Sequence, residues 1–335
     1  MNNDQINWNQ LKVEQNGKCV VAPCISFTIW FKVTVRPMLL NFYEQIMDTY
    51  GSLFTHYQAE SMKWPAKMTP RSLTLVPTWL KKPAKGKFYY GGFRGSKDIH
   101  GASFEIDFQE FPLKYLENTQ KNLPDMLEHG FLTEWGFPTS TFRVTVPIDN
   151  PLGDPNAFLK WVLNTDMVRH EEFVTGGIDY SLNYEYGLGD IVINEARALC
   201  VRYPGLDFKE GAINMWLHRY EPEQQEILPL SKRAGWLTLL NERSVDHLGG
   251  EEALKRKLTD DPTTKVYSLA HGTAIQAGDS PKIGDLSRID IPYRNVATAI
   301  RPVRMDRVGS VSYPKEWMGE WLDMLDAPLP RDLSY

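Results

Sequence analysis

Cysteine is scarce in this chain of 335 residues, and the few that occur exclude a disulfide-bonded scaffold. Cys19, Cys24 and Cys200 form an odd, widely spaced set, which is typical of a protein in a reducing compartment. Neither a C-x2-C pair nor a His-x3-His pair is present, so the ligands of a structural zinc site are missing. We therefore expect no bound metal and no cofactor.

Long apolar runs are also missing. The longest candidate, Cys19–Phe31, is interrupted by Pro23 and Ser26 and is too short to span a bilayer. The first eight residues, Met1–Trp8, lack the basic and apolar regions of a secretory signal. These features predict a protein without a membrane segment that resides in the cytoplasm.

An excess of basic residues is absent as well. The chain carries 37 basic and 42 acidic residues, for a net charge of −5, whereas a protein that coats nucleic acid is normally basic. Apolar residues make up 42% and charged residues 24%, which are ordinary values for a globular protein. The length predicts about two domains, with enough residues to bury a large core.

Recognisable catalytic motifs are missing too. The sequence has no G-x-S-x-G elbow, no H-E-x-x-H helix, no Walker A loop and no G-x-G-x-x-G turn, and its seven histidines are scattered. Glu105 and Asp107 share one face of a predicted strand, which we interpret as a solvated face. We therefore predict no catalytic residues, and an enzyme with an unrecognised site is only the third hypothesis.

Strand and helix patterns follow each other without a regular strand–helix–strand cadence. We predict strands over Cys24–Val35, Lys87–Phe93, Ser103–Phe111, Ser140–Pro147, Phe173–Tyr180 and Gly235–Leu240. We predict helices over Pro37–Tyr50, Asn156–Asn164, Asp190–Val201 and Glu242–Leu258, the last interrupted at Gly249 and Gly250. One short helix is expected between Trp64 and Pro83, a strand pair or one bent strand over Val266–Ala277, and an amphipathic helix over Trp317–Leu325.

These elements predict an α+β fold with mixed or antiparallel sheets flanked by helices. We expect two subdomains, one over residues 18–138 and one over residues 139–330. A single continuous domain is the alternative.

Basic residues are concentrated in a basic segment, Lys63–Lys97, where nine of them occur with no acid. Aromatic residues are interleaved with them at Trp64, Trp79, Phe88, Tyr89, Tyr90 and Phe93. Basic groups beside stacking aromatics suit single-stranded nucleic acid. The competing interpretation is a basic surface loop beside a strand whose aromatics face the core. Binding of nucleic acid by this segment is our second hypothesis.

The opposite bias appears in an acidic segment, Asp166–Glu195, where seven acids face one base, Arg169. Such a segment is either a solvated face or a surface complementary to a basic partner. We predict partner binding by five of its acids and by two neighbouring tyrosines: Glu171, Glu172, Asp179, Glu185, Asp190, Tyr180 and Tyr184. Strand alternation places Asp179 and Tyr180 on opposite faces, so one of these two is expected to be structural.

Several short strings in the C-terminal half resemble a known family. They are Tyr203–Asp207 (YPGLD), Arg233–Thr238 (RAGWLT) running on to Leu248–Gly250 (LGG), Ala277–Asp285 (AGDSPKIGD), Pro292–Tyr293 and Arg301–Arg304 (RPVR). In this order they resemble the type VI secretion immunity family, and the similarity extends over about Phe27 to Leu325.

The resemblance implies an immunity protein, made beside an antibacterial effector that it binds to prevent self-killing. Several relatives are paired with nuclease effectors, so the expected partner is a cognate type VI effector with nuclease activity, with the active or substrate-binding site occluded. A nuclease binds phosphates through basic groups, for which an acidic surface is a complement. The sequence leaves the oligomeric state open.

Overall fold

The computed structural model of this chain describes residues 6–31, 36–59, 62, 65–81, 89–95, 105–110, 139–171, 173–184, 190–208, 217–221, 226–284, 290–305 and 321–326. Within these residues, helices and largely antiparallel strands are mixed, so the predicted α+β class is confirmed. None of the helices in the described part combines the length and the apolar run needed to cross a bilayer.

The strands in chain order are β1 (Val13–Gln15), β2 (Lys18–Phe31), β3 (His56–Ala59), β4 (Ala66–Lys67), β5 (Tyr89–Arg94), β6 (Glu105–Glu110), β7 (Ser140–Pro147), β8 (Phe173–Tyr184), β9 (Asp207–Phe208), β10 (His218–Glu221), β11 (Glu226–Pro229), β12 (Leu237–Asn241), β13 (Lys265–Leu269) and β14 (Gly272–Gln276). The helices are α1 (Arg36–Tyr50), α2 (Pro70–Leu73), α3 (Leu75–Lys81), α4 (Pro155–Leu163), α5 (Asp190–Arg202), α6 (Glu242–His247), α7 (Glu251–Leu258) and α8 (Ile291–Ala299).

One sheet contains twelve of these strands, with the central order β13-β14-β12-β8-β2-β7-β6-β5-β3-β4. β1 pairs with β2, and β9 pairs with β8 in the only parallel pairing among the described strands of this sheet. β10 and β11 form a separate hairpin. Strands from both predicted subdomains share the sheet, since β2 lies between β7 and β8; the division at residue 138 stays a prediction.

The first face of the sheet is apolar and is covered by α1 and α4. Phe27 of β2 packs edge-on against Phe42 of α1 and against Trp161 of α4, with ring centroids 6.2 and 6.3 Å apart. α4 begins where Asp154 accepts a hydrogen bond from the backbone N–H of Ala157 at 2.8 Å. Such a cap is worth about 1 kcal/mol and fixes where the helix enters the layer.

The second face of the same strands is polar and yet buried. Ser26 and Thr28 of β2 alternate with the apolar residues of that strand, and Ser26 lies directly opposite Asp179 of β8. Arg143 of β7 lies opposite Thr28 on the same face. Because a buried polar group without a partner is costly, other segments of the chain must satisfy this face.

Several predicted elements match the structure closely, and others differ for local reasons. Ser140–Pro147 is confirmed, and the strand predicted over Phe173–Tyr180 continues to Tyr184. The helix over Glu242–Leu258 is interrupted as predicted, because Gly249 and Gly250 adopt positive φ values of 95° and 88°.

Three further regions refine the expectations. The region between Trp64 and Pro83 contains two short helices, α2 and α3, because the helical hydrogen bonding is broken at Thr74. Val266–Ala277 is a strand pair rather than one bent strand. The C-terminal helix expected over Trp317–Leu325 is described only from residue 321, where a helical turn leads into a 3-10 turn at Met324–Asp326.

Candidate functional site

Five charged side chains lie together on the buried polar face of the sheet. Arg143 comes from β7, Asp179 from β8 and Asp207 from β9, while Lys232 and Arg233 come from the connection between β11 and β12. All five residues are buried. We refer to Arg143, Asp179, Asp207, Lys232 and Arg233 as the charged cluster.

Asp207 and Lys232 form a buried ion pair. Lys232 Nζ donates to Asp207 Oδ1 at 2.6 Å and to the carbonyl oxygen of Phe208 at 2.5 Å. Parallel pairing of β9 with β8 places Asp207 beside Ser181 on the polar face. Burial by itself would raise the pKa of Asp207, but the charges of Lys232, Arg143 and Arg233 outweigh burial and lower this pKa below its usual value. Asp207 is therefore ionised in the folded protein at neutral pH.

Arg233 holds a turn of the chain and lies over an aromatic ring. Its guanidinium donates to the carbonyl oxygen of Leu206 at 3.0 Å and also to that of Pro204. The guanidinium carbon lies 4.3 Å from the ring centroid of Trp321, and Lys232 Nζ lies 5.3 Å from the same centroid. A buried tryptophan face attracts cations in this way, so Trp321 closes the cluster from the C-terminal side.

Among the described residues, Asp179 forms a hydrogen bond with the backbone and no direct ion pair. Its Oδ1 accepts a hydrogen bond from the backbone N–H of Trp236 at 2.7 Å. Burial, and then the negative charge of Asp207, raise the pKa of Asp179 well above its usual value. Arg143 Nη2 donates to Ser181 Oγ at 2.6 Å and to Ser26 Oγ at 3.5 Å. Both serines next to Asp179 on this face are therefore hydrogen-bonded.

A small cavity lies within the cluster. Its volume is about 30 Å³, and its lining includes Ser26, Thr28, Asp179, Lys232 and Arg233. That space suits one or two waters, whereas pockets for organic ligands measure roughly 300–1,000 Å³. Among the residues the structure describes, no group of three or more His, Cys, Asp or Glu is placed to hold a metal. The cluster is chemically suited to holding chain segments together.

The strings that resemble the immunity family meet around this cluster. Gly205 N donates to the carbonyl oxygen of Ile283 at 2.7 Å, and Trp236 Nε1 donates to that of Gly278 at 3.0 Å. A Cβ on Gly205 would stand 2.2 Å from the carbonyl oxygen of Lys282, so only glycine fits this crossing. These contacts hold together segments that are 78 residues apart in one case and 42 in the other.

The string around Arg304 is hydrogen-bonded to the segment that carries Lys232 and Arg233. Ser231, just before the two cluster cations, donates its N–H to the carbonyl oxygen of Val303 at 2.7 Å and accepts from the N–H of Met305 at 2.8 Å. Arg304, whose side chain is fully buried, donates from Nη1 to Asp326 Oδ1 at 2.9 Å. The glycine, tryptophan and arginine positions of the strings thus have structural roles that sequence reasoning left unspecified.

The seven residues predicted to bind a partner lie in different environments. Glu171 is exposed, and Asp190 is the first residue of α5, although its side chain lies outside the described residues. Glu172 and Glu185 lie outside the described residues altogether.

Asp179, Tyr180 and Tyr184 are buried within the chain. Tyr180 packs edge-on against Trp8 with centroids 4.8 Å apart, and burial raises its pKa to about 12. Tyr184 stacks on Phe208 at 5.2 Å. Asp179 and Tyr180 lie on opposite faces of β8, as the alternation predicts.

Sequence reasoning missed acids on α1 that extend the acidic segment. Gln45 Nε2 of α1 donates to Asp166 Oδ2 at 3.3 Å, which places this helix beside the start of the segment. Glu44 and Asp48 are exposed on α1, the first adjacent to Gln45 and the second one turn later. The polar stripe of α1 is visible in the sequence, but its position next to residue 166 depends on the tertiary fold.

The basic segment is only partly described. Phe93 of β5 is buried and packs against Tyr43 and Phe54, with centroids 6.0 Å away in both cases. Arg94 is buried as well. For Phe93 the core-facing interpretation of the aromatics applies. Trp64, Phe88 and five of the seven lysines of the segment lie outside the described residues, the lysines being those at positions 63, 82, 85, 87 and 97.

Comparison with known proteins identifies a family and a solved structure with a similar fold. The model of the family described as "TsiV: Type VI immunity for VRR-NUC" matches residues 134–319, a range that contains the whole charged cluster. The Pseudomonas aeruginosa T6SS protein PA0821 has a similar solved structure, with a TM-score of 0.70 and 19% sequence identity, over 94% of this chain and 87% of that chain. No curated protein matches this chain.

Proposed function

Because this chain belongs to the TsiV family, the type VI immunity family for VRR-NUC, we propose that it binds a cognate VRR-NUC effector and neutralises it by covering the effector's active or substrate-binding site. The family match over residues 134–319 is the observation that carries the proposal. Binding takes place in the cytoplasm, where a nuclease that escaped inhibition would meet nucleic acid. No catalytic step by this chain is required.

The charged cluster supports a binding role rather than a catalytic one, because its cations contact other groups of the same chain inside the fold. Lys232 donates to Asp207 and Phe208, and Arg233 donates to two backbone carbonyls and lies over the Trp321 ring. An enzyme would need such groups directed at a substrate pocket. Here they hold segments of the chain together inside the fold.

Acids of the acidic segment, of which Glu171 is exposed, supply the complementary surface in this proposal. A nuclease holds phosphates with basic side chains, so a partner that covers that groove gains from an acidic face. We assign this face to the acidic segment at Glu171, Glu172, Glu185 and Asp190. Asp179, Tyr180 and Tyr184, being buried, would act indirectly by stabilising strand β8.

The test is inhibition of DNA cleavage by a purified cognate VRR-NUC effector. We expect cleavage to fall linearly as this protein is added and to stop at a fixed molar ratio, because a tight stoichiometric inhibitor titrates its target. Undiminished cleavage in the presence of excess protein would overturn the proposal.

A second arm addresses the nucleic-acid hypothesis for the basic segment. Fluorescence anisotropy with a labelled single-stranded oligonucleotide at low salt should show no binding. Affinity that is measurable and falls steeply with salt would favour nucleic-acid binding instead, since counterion release produces that dependence.

A further inference from the structure

The strand β13 lies at one end of the twelve-stranded sheet, and no described strand pairs with its outer edge. It spans five residues, Lys265–Leu269, whereas β4 at the opposite end of the strand order has two. Natural proteins shield exposed strand edges with devices such as a proline or a bulge, because the unpaired backbone groups attract other strands. β13 contains no proline, and its pairing with β14 has no bulge. Its outer edge can therefore accept a further strand.

The hydrogen bonds of β14 show which backbone groups of β13 face outward. Ala277, directly after β14, donates its N–H to the carbonyl oxygen of Trp236 at 2.7 Å, on the side of β12. Backbone groups alternate in direction along a strand, so Gln276 turns its own groups toward the first residue of β13, which lies opposite it. By the same alternation, Val266 and Ser268 direct their N–H and C=O groups away from β14. Neither residue makes a backbone hydrogen bond across the outer edge to any described residue.

A row of outward N–H and C=O groups selects an extended chain as its occupant, and a second copy of β13 fits this row. With Tyr267 opposite itself on a two-fold axis, Val266 of each copy lies opposite Ser268 of the other. Both residues direct their backbone groups outward, so each such pair exchanges two hydrogen bonds and the two pairs supply four. A shift of the register by one residue would place an outward residue opposite an inward one, and those bonds would be lost.

Side chains and charges agree with this register. Lys265 lies opposite Leu269 of the second copy, so no like charges face each other, and the central pair is tyrosine against tyrosine, a favourable cross-strand combination. Asp260–Asp261 precedes the strand and His271 follows it. Antiparallel pairing brings the aspartate end of one copy beside the histidine end of the other, whereas parallel pairing would bring the two aspartate ends together. These matches among the residues of this chain make a second copy the occupant of the edge.

We propose that two copies of this chain associate through their β13 edges, with Tyr267 of each copy facing Tyr267 of the other across a two-fold axis. The pairing joins two twelve-stranded sheets into one continuous sheet. Because a two-fold interface uses the same residues in both copies, a charge introduced at position 267 meets itself. The edge lies outside the acidic segment and outside the charged cluster, so this association goes beyond the proposed function and does not depend on it.

The experiment places like or unlike charges across the axis. Sedimentation velocity at increasing protein concentration measures self-association of the wild-type protein, Tyr267→Lys and Tyr267→Glu. We expect a wild-type dimer. Each variant alone should raise the dimer dissociation constant about tenfold or more, because like charges then face each other. An equimolar mixture of the two variants should form the dimer again, since lysine then faces glutamate.

Two further variants serve as controls. Tyr267→Phe loses only the hydroxyl that donates to Gln276 Oε1, so it should dimerise like wild type. Leu152→Lys adds a charge at a residue outside β13 that is 40% exposed, and it should leave self-association unchanged. Thermal melts of all the variants show whether each is folded.

Val266→Pro tests the edge without adding charge. Proline removes an outward N–H and leaves the hydrogen bonds between β13 and β14 in place, so the dimer should weaken while the fold persists. If the charged variants at position 267 do not fold, the result for Val266→Pro decides. A wild-type monomer at every concentration, a dimer that these changes do not weaken, or a mixture of folded charged variants that stays monomeric would each overturn the assignment. None of these results involves the effector, so the proposed function stands or fails separately.

Discussion

Gly235 lies directly against the carboxylate of Asp179, so that a Cβ built on Gly235 would stand 2.0 Å from Asp179 Oδ2. The same carboxylate accepts the N–H of Trp236, the next residue. The chain therefore passes over Asp179 with its backbone in contact, and only a residue without a side chain can do so. This crossing joins β8 to the segment that carries Lys232 and Arg233.

Gly235→Ala should destabilise the protein by about 1–3 kcal/mol, because the new methyl group overpacks a buried crossing. Urea denaturation measures the change. Gly51→Ala is the matched control: its Cβ would meet only the flexible end of Met47 at 3.3 Å, so we expect a change below about 1 kcal/mol. Equal effects at the two glycines would contradict the crossing argument.

Asp179→Asn should flatten the dependence of stability on pH. Because the pKa of Asp179 is raised in the fold, the folded state holds a proton that the unfolded state releases above its usual pKa of 3.8. Wild-type stability therefore falls as pH rises from about 4 through the raised pKa. Asparagine keeps the acceptor for Trp236 and has no proton to lose, so the variant should gain on wild type as pH rises.

Urea denaturation at intervals between about pH 4 and pH 8 checks this expectation. Asp207 has the opposite sign: its lowered pKa contributes stability that is lost as pH falls below about 4, so it does not confound this range. Parallel profiles for wild type and Asp179→Asn would contradict the raised pKa.

Lys232→Met should cost about 3–5 kcal/mol, because it leaves the carboxylate of Asp207 buried without its cation. The double variant Lys232→Met with Asp207→Leu should recover much of that loss, since two apolar residues remove both buried charges. A double-mutant cycle in urea measures the coupling between the two positions. Simple additivity of the two single changes would show that the pair does not act as a unit.

Glu171→Lys should slow association with the VRR-NUC effector and reduce the salt dependence of that rate, because it removes steering charge from the acidic segment. Glu252→Lys, on the exposed face of α7 outside that segment, is the matched control and should change the rate little. Stopped-flow binding at several salt concentrations distinguishes them. If both reversals slow association equally, overall charge rather than the acidic segment guides the encounter.

Local pattern was enough to predict much of the secondary structure. Alternation of side chains identified Ser140–Pro147 as a strand, and the glycine pair at 249–250 located the break between α6 and α7. These features depend on neighbouring residues and on backbone φ values, which the sequence specifies directly. The same reasoning placed Asp179 and Tyr180 on opposite faces of one strand.

Burial of the charged cluster was decided by tertiary structure. The sequence shows Asp179 as one acid among seven in the acidic segment, and the alternation of its predicted strand does not tell whether Asp179 or Tyr180 is the buried one. Its burial follows from the position of β8 beside β2 and from the backbone of Gly235 above it, about 55 residues later in the chain. A polar group is buried at low cost only where other groups hydrogen-bond to it, and partners from distant segments cannot be read from its neighbours in sequence.

The family strings also combine a feature that the sequence shows with a role that only the fold shows. Their glycines, tryptophans and arginines are evident in the sequence. They sufficed to identify the family, because the identity and order of these residues can be read without knowing the fold. Their purpose required the fold: Arg233 binds the turn at Pro204 and Leu206, and Trp321 lies over Arg233. Sequence determined which elements form and which family the chain resembles, whereas long-range packing determined which charges are internal and which remain on the surface.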